Sequence, residues 1–164
     1  MMSGMTEWSA RSTIPAALLN PAILAAVVAA GAAGYERDRH VPMPWPLSFV
    51  IAPLTLHRGT REALPSSPTT HLGAWVSRNP ILRAGVPLRA RALVEPVREG
   101  LRFGVRYGLL TIEDGGALRQ GISLLRPPDA GDLRQLLRKA TFAGRWISRM
   151  EEPGTVFALF GITV

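Results

Sequence analysis

A mainly α-helical fold with one β-hairpin is what this sequence predicts, and three observations predict it. Asn20-Pro21 and Asn79-Pro80 punctuate the chain where helices begin or end, because Asn caps a helix well and Pro suits its first turn. Apolar residues recur with helical spacing over Pro96–Gly108 and from Asp132 to about Met150. Strand-like segments are proposed only at Leu109–Glu113 and Ala117–Gly121, which flank Asp114-Gly115-Gly116, a hairpin signal.

In chain order, residues 1–12 read as a loose tail and 13–164 as one domain, long enough to bury a core. Ser12–Tyr35 carries no charge, and a membrane span needs roughly 20 apolar residues. A helix opened by Pro21 and running to about Glu36 is only ~23 Å long, which favours a core helix. A small protein anchored through 12–35 stays as an alternative. Glu7 ahead of Arg11 makes a poor basic leader for a secretory signal, so a cytoplasmic location is expected.

RDRHVPMPWP reads as a Pro-rich connector. Pro46 opens an apolar helix through Leu56, bent at Pro53. A turn, His57–Thr60, follows and contains Gly59. Ser66–Thr70 is a loop whose Thr caps a short helix, His71 to about Arg78, ended by Asn79-Pro80. Two helical pieces come next, Pro87–Val94 and Pro96–Gly108, separated at Glu95-Pro96.

In the second piece Arg98, Glu99, Arg102 and Arg106 share one arc, while Val97, Leu101, Gly104, Val105 and Gly108 lie opposite. Gly100, Gly104 and Gly108 recur every fourth residue, so another backbone can approach closely; packing inside the domain is the expected use. Pro127-Pro128 closes the hairpin unit. The helix from Asp132 presents Leu133, Leu136, Leu137, Ala140, Ala143/Gly144 and Ile147 as its apolar face. The apolar end, Gly154–Val164, must be covered by the core or by a partner. Helix, helix and hairpin over 87–121 follow the order of a winged helix-turn-helix, with Pro96–Gly108 as recognition helix and Glu113–Ala117 as wing tip. The expected architecture is therefore a winged-helix-like core with extra N- and C-terminal helices.

Composition narrows the chemistry. The chain has no Cys, which removes disulfides, thiolate metal sites and thiol catalysis. Lys139 is the lone lysine and is followed by Ala140, so there is no P-loop. The chain lacks G-x-G, G-x-S-x-G and H-E-x-x-H patterns. His40, His57 and His71 are scattered, without carboxylates at ligand spacing. No catalytic, cofactor-binding or metal-binding residue is assigned, and no enzyme activity is expected.

The formal charge is +7, which suits contact with phosphate or with acidic protein surfaces. The excess is concentrated between Arg58 and Arg91 and between Arg134 and Arg149. Two candidate contact regions emerge. One is the charged segment His57, Arg58, Thr60, Arg61 and Glu62, where the apolar run ends; His57 and Arg58 can also cap the preceding helix C-terminus. The other is the arginine face Arg91, Arg98, Arg102 and Arg106, facing DNA or an acidic partner. An ion-pair lattice with Glu95 and Glu99 is the structural alternative there.

Four segments occur in order: LLNPAILAAVVAAGAAGY (Leu18–Tyr35), MPWPLSFVIAPLTLHRGTREALP (Met43–Pro65), WVSRNPILRAGVPLRARALVEPVREGLRFGVRYGLL (Trp75–Leu110) and KATFAGRWISRMEEPGTVFALFGI (Lys139–Ile162). Together they resemble the small middle component of three-component ABC-type bacterial conflict systems. The most specific part is L-H-R-x-T-R-E-x-L-P, here Leu56–Pro65, supported by Gly144–Trp146 and by Ala158–Gly161. The resemblance implies a non-catalytic adaptor in anti-phage or anti-plasmid defence. Its implied partners are an ATPase similar to Rad50 and structural-maintenance (SMC) proteins, and a third component bearing an effector. DNA contact and a homodimer within the complex are compatible with it. A free-standing winged-helix DNA-binding protein is the competing reading.

Overall fold

The computed structural model describes residue 14, residues 16–121 and residues 131–163. The expected tail at 1–12 and the Pro127-Pro128 closure lie outside the described residues. The fold is mainly helical with a small antiparallel sheet.

Helix α1 (Pro21–Arg39) is the central element. Asn20 caps it, its Oδ1 accepting from the Ala22 amide at 2.8 Å, as the Asn-Pro signal requires. It runs one turn past the expected end at Glu36. From Leu24 through Ala32 every residue is buried, so the helix shows no polar stripe. From Leu24 to Ala32 the apolar run is thus sheathed by protein. Among the described residues no helix is long and apolar enough to cross a membrane.

Two helices pack closely on α1, and glycine permits both contacts. Helix α7 (Gly131–Ile147) crosses it where Gly31 and Gly34 meet Gly144 and the Thr141 backbone. Helix α6 (Val94–Arg106) meets it through Gly100 and Gly104. A Cβ at Gly100 would sit 2.7 Å from Leu24 Cβ, closer than carbon atoms pack. The every-fourth-residue glycines therefore serve packing inside the fold. Gly108 does not join them: α6 ends at Arg106, and Gly108 turns the chain at φ 78°.

Helix α2 (Ser48–Leu56) follows a 3₁₀ turn at Trp45–Leu47 and is buried at every position but Phe49, with Pro53 inside it. The expected turn at 57–60 is in fact the start of a short helix, α3 (Arg58–Ala63). Helix α4 (Leu72–Arg78) is capped by His71, not by the preceding Thr; its Nδ1 accepts from the Gly73 amide at 3.2 Å. Asn79-Pro80 ends α4 and also opens α5 (Pro80–Ala92), which contains Pro87. The break between α5 and α6 falls at Leu93, not at Glu95-Pro96. Pro96 lies within the first turn of α6, where its missing N–H is harmless.

The hairpin forms as expected from β2 (Leu110–Ile112) and β3 (Ala117–Gln120) around Asp114–Gly116. A third strand joins it: β1 (Met43–Pro44), from the supposed connector, pairs with β3. The sheet order is β1-β3-β2, and Pro44 sits on an edge strand, the place in a sheet where proline is tolerated. Arg119 anchors the hairpin to α1, its Nε donating to Glu36 at 2.8 Å and its Nη1 to Glu113 at 3.1 Å.

Helix α8 (Pro153–Phe160) tucks the apolar end into the core through Val156, Phe157 and Phe160. Trp75, Trp146 and Phe160 form an aromatic knot, with Trp75 edge-on to Trp146 at 5.4 Å. Both indole N–H groups are satisfied, Trp75 by the Ala63 carbonyl and Trp146 by the Thr70 carbonyl, each at 2.8 Å.

Candidate interaction site

The segment His57–Glu62 splits into an inward and an outward set. His57 is the N-cap of α3, with extended backbone. Its Nδ1 accepts from the Thr60 amide at 3.1 Å and lies 2.7 Å from Thr60 Oγ1. Thr60 is fully buried, and its Oγ1 also accepts from Arg89 Nη2 at 3.2 Å. A continuous chain results, in which Arg89 donates to Thr60 and the Thr60 hydroxyl donates to His57. This network assigns the imidazole proton to Nε2. Burial, and then the positive charges of Arg89 and Arg61, hold the His57 pKa below its ordinary value. A neutral ring is what an accepting Nδ1 needs.

Arg61 turns back to the preceding helix. Its Nη1 donates to the Thr55 carbonyl at 2.6 Å and to the Leu56 carbonyl at 3.3 Å, satisfying orphan acceptors at the end of α2. Capping does occur here, but with changed roles: His57 caps the following helix and Arg61, not Arg58, caps the preceding one. Arg58 and Glu62 face outward and pair with each other at 2.7 Å. Of the five residues, only these two are exposed.

Arg83 and Arg89 downstream follow the inward pattern. Arg83 Nε donates to the Leu159 carbonyl at 3.1 Å, at the end of α8, where Gly161 takes φ 71°. Arg89 folds back along its own helix to the Leu82 carbonyl at 3.2 Å, over Gly85, where any Cβ would collide with the guanidinium. Its Nε is buried without a partner, and burial lowers its pKa. Part of the basic excess between Arg58 and Arg91 is thus engaged by backbone carbonyls within the fold.

The α6 face behaves differently. Arg91, Arg98, Arg102 and Arg106 are all exposed. Among the described residues, most of the alternative ion-pair lattice is absent. Arg98 pairs with Glu95 at 2.7 Å, and Arg106 lies over the Tyr107 ring at 5.8 Å. Among the described residues, Arg102 and Arg106 have no carboxylate partner.

Beside these two arginines lies a feature the sequence did not disclose. A groove of about 500 Å³ runs between α6 and the sheet. Leu101, Val105, Ile112 and Leu118 form its apolar floor, and Trp45 forms one wall. Trp45 is 47% exposed, Val105 41% and Ile112 59%. The indole is held edge-on by Phe49, with ring centroids 6.0 Å apart. Gly116, at φ 85°, leaves room for it: a Cβ there would stand 2.9 Å from Trp45 Cδ1. The only available signal was the Trp in MPWP, whose place beside the hairpin depends on the unforeseen β1–β3 pairing.

Among the described residues, no group of three or more His, Asp or Glu side chains could hold a metal ion. Comparison with curated proteins and with solved structures returned no match. Residues 8–164 match a family model described as ABC-three component (ABC-3C) system Middle Component 3, and the chain belongs to that family.

Proposed function

We propose that this chain is a non-catalytic adaptor that links a Rad50/SMC-like ABC ATPase to an effector-bearing third component, in a cytoplasmic complex defending bacteria against phage or plasmids. The match of nearly the whole chain to a middle-component family carries this reading, since a middle component implies protein partners. Exposed apolar surface supports it. Trp45, Val105 and Ile112 line one groove, and Ile81 and Leu88, 87% and 73% exposed, lie two turns apart on α5. In the polar segment His57–Arg61, His57 and Arg61 are engaged as helix caps, which supports a structural use of these two side chains.

The test is co-purification. When the intact locus is expressed with this chain tagged, the ATPase and the third component should elute with it at constant ratio through size exclusion. A tagged chain that emerges alone sinks the adaptor reading.

One observation favours a second reading, a winged-helix DNA-binding protein. Arg98, Arg102 and Arg106 are exposed on the helix that leads into the hairpin. That reading predicts duplex affinity falling steeply with salt, and lost on neutralising Arg98 and Arg102. Affinity for DNA no greater than that of the neutralised variant rules it out.

A further inference from the structure

We infer that the groove between α6 and the sheet receives a helical segment of a partner subunit, apolar on one face and carrying two carboxylates one turn apart along its edge. This rests on the adaptor reading and adds the chemistry of the contact.

The floor supplies the apolar part. Leu101, Val105, Ile112 and Leu118 line a trough with no carboxylate among its lining residues. Trp45 is pre-set against it by Phe49 and by the space over Gly116, so little side-chain freedom is lost when a partner arrives. A half-exposed Trp held rigid beside arginines is the composition in which interface energy concentrates.

The rim supplies the charge. Arg102 and Arg106 are four residues apart, so they stand ~6 Å from each other along the helix axis. Both are exposed and neither is ion-paired among the described residues. Carboxylates at i and i+4 of an incoming helix repeat with the same rise and can meet both guanidinium groups. The same rim argues against a second copy of this chain, whose formal charge is +7 and which would bring like charge to the contact. The apolar floor argues against a phosphate backbone, which offers it nothing to bury.

Photo-crosslinking in cells expressing the intact locus tests the assignment, with p-benzoylphenylalanine placed at Val105 and the linked peptide read by mass spectrometry. The expected product joins this chain to a partner-subunit segment bearing two acidic residues one turn apart. Arg102→Glu with Arg106→Glu should weaken co-purification of that partner at least about tenfold, and reversing the two acids to Lys should restore it. A thermal melt matching the parent shows that the double variant is folded. Crosslinks to a second copy of this chain, to nucleic acid, or to a segment without paired acids overturn the inference, as does the absence of any crosslink. Co-purification that survives the double variant overturns the groove assignment while the adaptor reading stands. Failure of the unmodified chain to co-purify removes the adaptor reading itself.

Discussion

Arg61, Arg83 and Arg89 differ from Arg102 and Arg106 in what their guanidinium groups meet, although the sequence presents all five in similar basic, apolar-flanked stretches. The first three reach backbone carbonyls of Thr55, Leu159 and Leu82. The other two project from α6 beside an apolar groove, without a carboxylate partner among the described residues. Arg61 and Arg83 reach the C-terminal ends of α2 and α8, where orphan acceptors lie within range of a long stem, while Arg89 folds back onto its own helix and onto Thr60. Arg102 and Arg106, on the exposed face of the second half of α6, make no such contact among the described residues and stay available to a partner. A basic sequence stretch therefore says little about binding until the acceptors around each guanidinium are located.

This contrast can be broken from either side. The largest expected effect is at the buried link, Thr60→Val. It keeps the volume but removes the oxygen that joins Arg89 to His57, leaving a partly buried cation short of an acceptor. Urea unfolding should show a loss of about 2–3 kcal/mol; a loss under about 0.5 kcal/mol would mean the link holds nothing. Next, Arg61→Ala uncovers the Thr55 and Leu56 carbonyls and should cost about 2 kcal/mol in the same assay. If instead it left stability unchanged and weakened partner capture, the inward assignment of Arg61 would be wrong.

The third effect is a pH dependence. The folded state holds His57 below its ordinary pKa near 6.5, so the unfolded chain takes up the proton first. The stability due to the neutral ring is present above pH 6.5 and is lost as pH falls through the lower folded value. His57→Asn keeps a capping acceptor that does not titrate. It should flatten the fall in stability between neutral and mildly acidic pH; an unchanged slope assigns the titration to another group. The smallest effect on stability belongs to Arg102→Glu with Arg106→Glu, which should stay within about 0.5 kcal/mol of the parent while the partner is lost. A large destabilisation would show that the α6 rim is also structural.

Much of the fold is legible in local signals. Asn20-Pro21 places the start of α1, the hairpin forms around Asp114–Gly116, and the periodic positions Leu136, Ala140, Ala143, Gly144 and Ile147 are buried on α7. Each depends on backbone rules acting within a few residues. Proline is a weaker boundary than the sequence suggests: Pro87 and Pro96 lie inside helices, and Pro96 falls in a first turn, where the missing donor is harmless. The strand at Met43–Pro44 was hidden because two residues carry no alternation, and only pairing with β3 defines it.

By itself, the sequence determined the family, the start of α1, the hairpin and the glycine spacing that lets α6 meet α1. Such features are encoded by residue type at short range, or by segments preserved in order. The direction each polar side chain faces was decided only by the tertiary structure. His57 could cap either neighbouring helix until α3 formed, and Arg61 until the end of α2 lay beneath it. Trp45 became a groove wall only when β1 joined the sheet. The physical reason is the same in each case. A side chain's role is set by which donors, acceptors and apolar atoms come within a few ångströms of it, and here those come from distant parts of the chain.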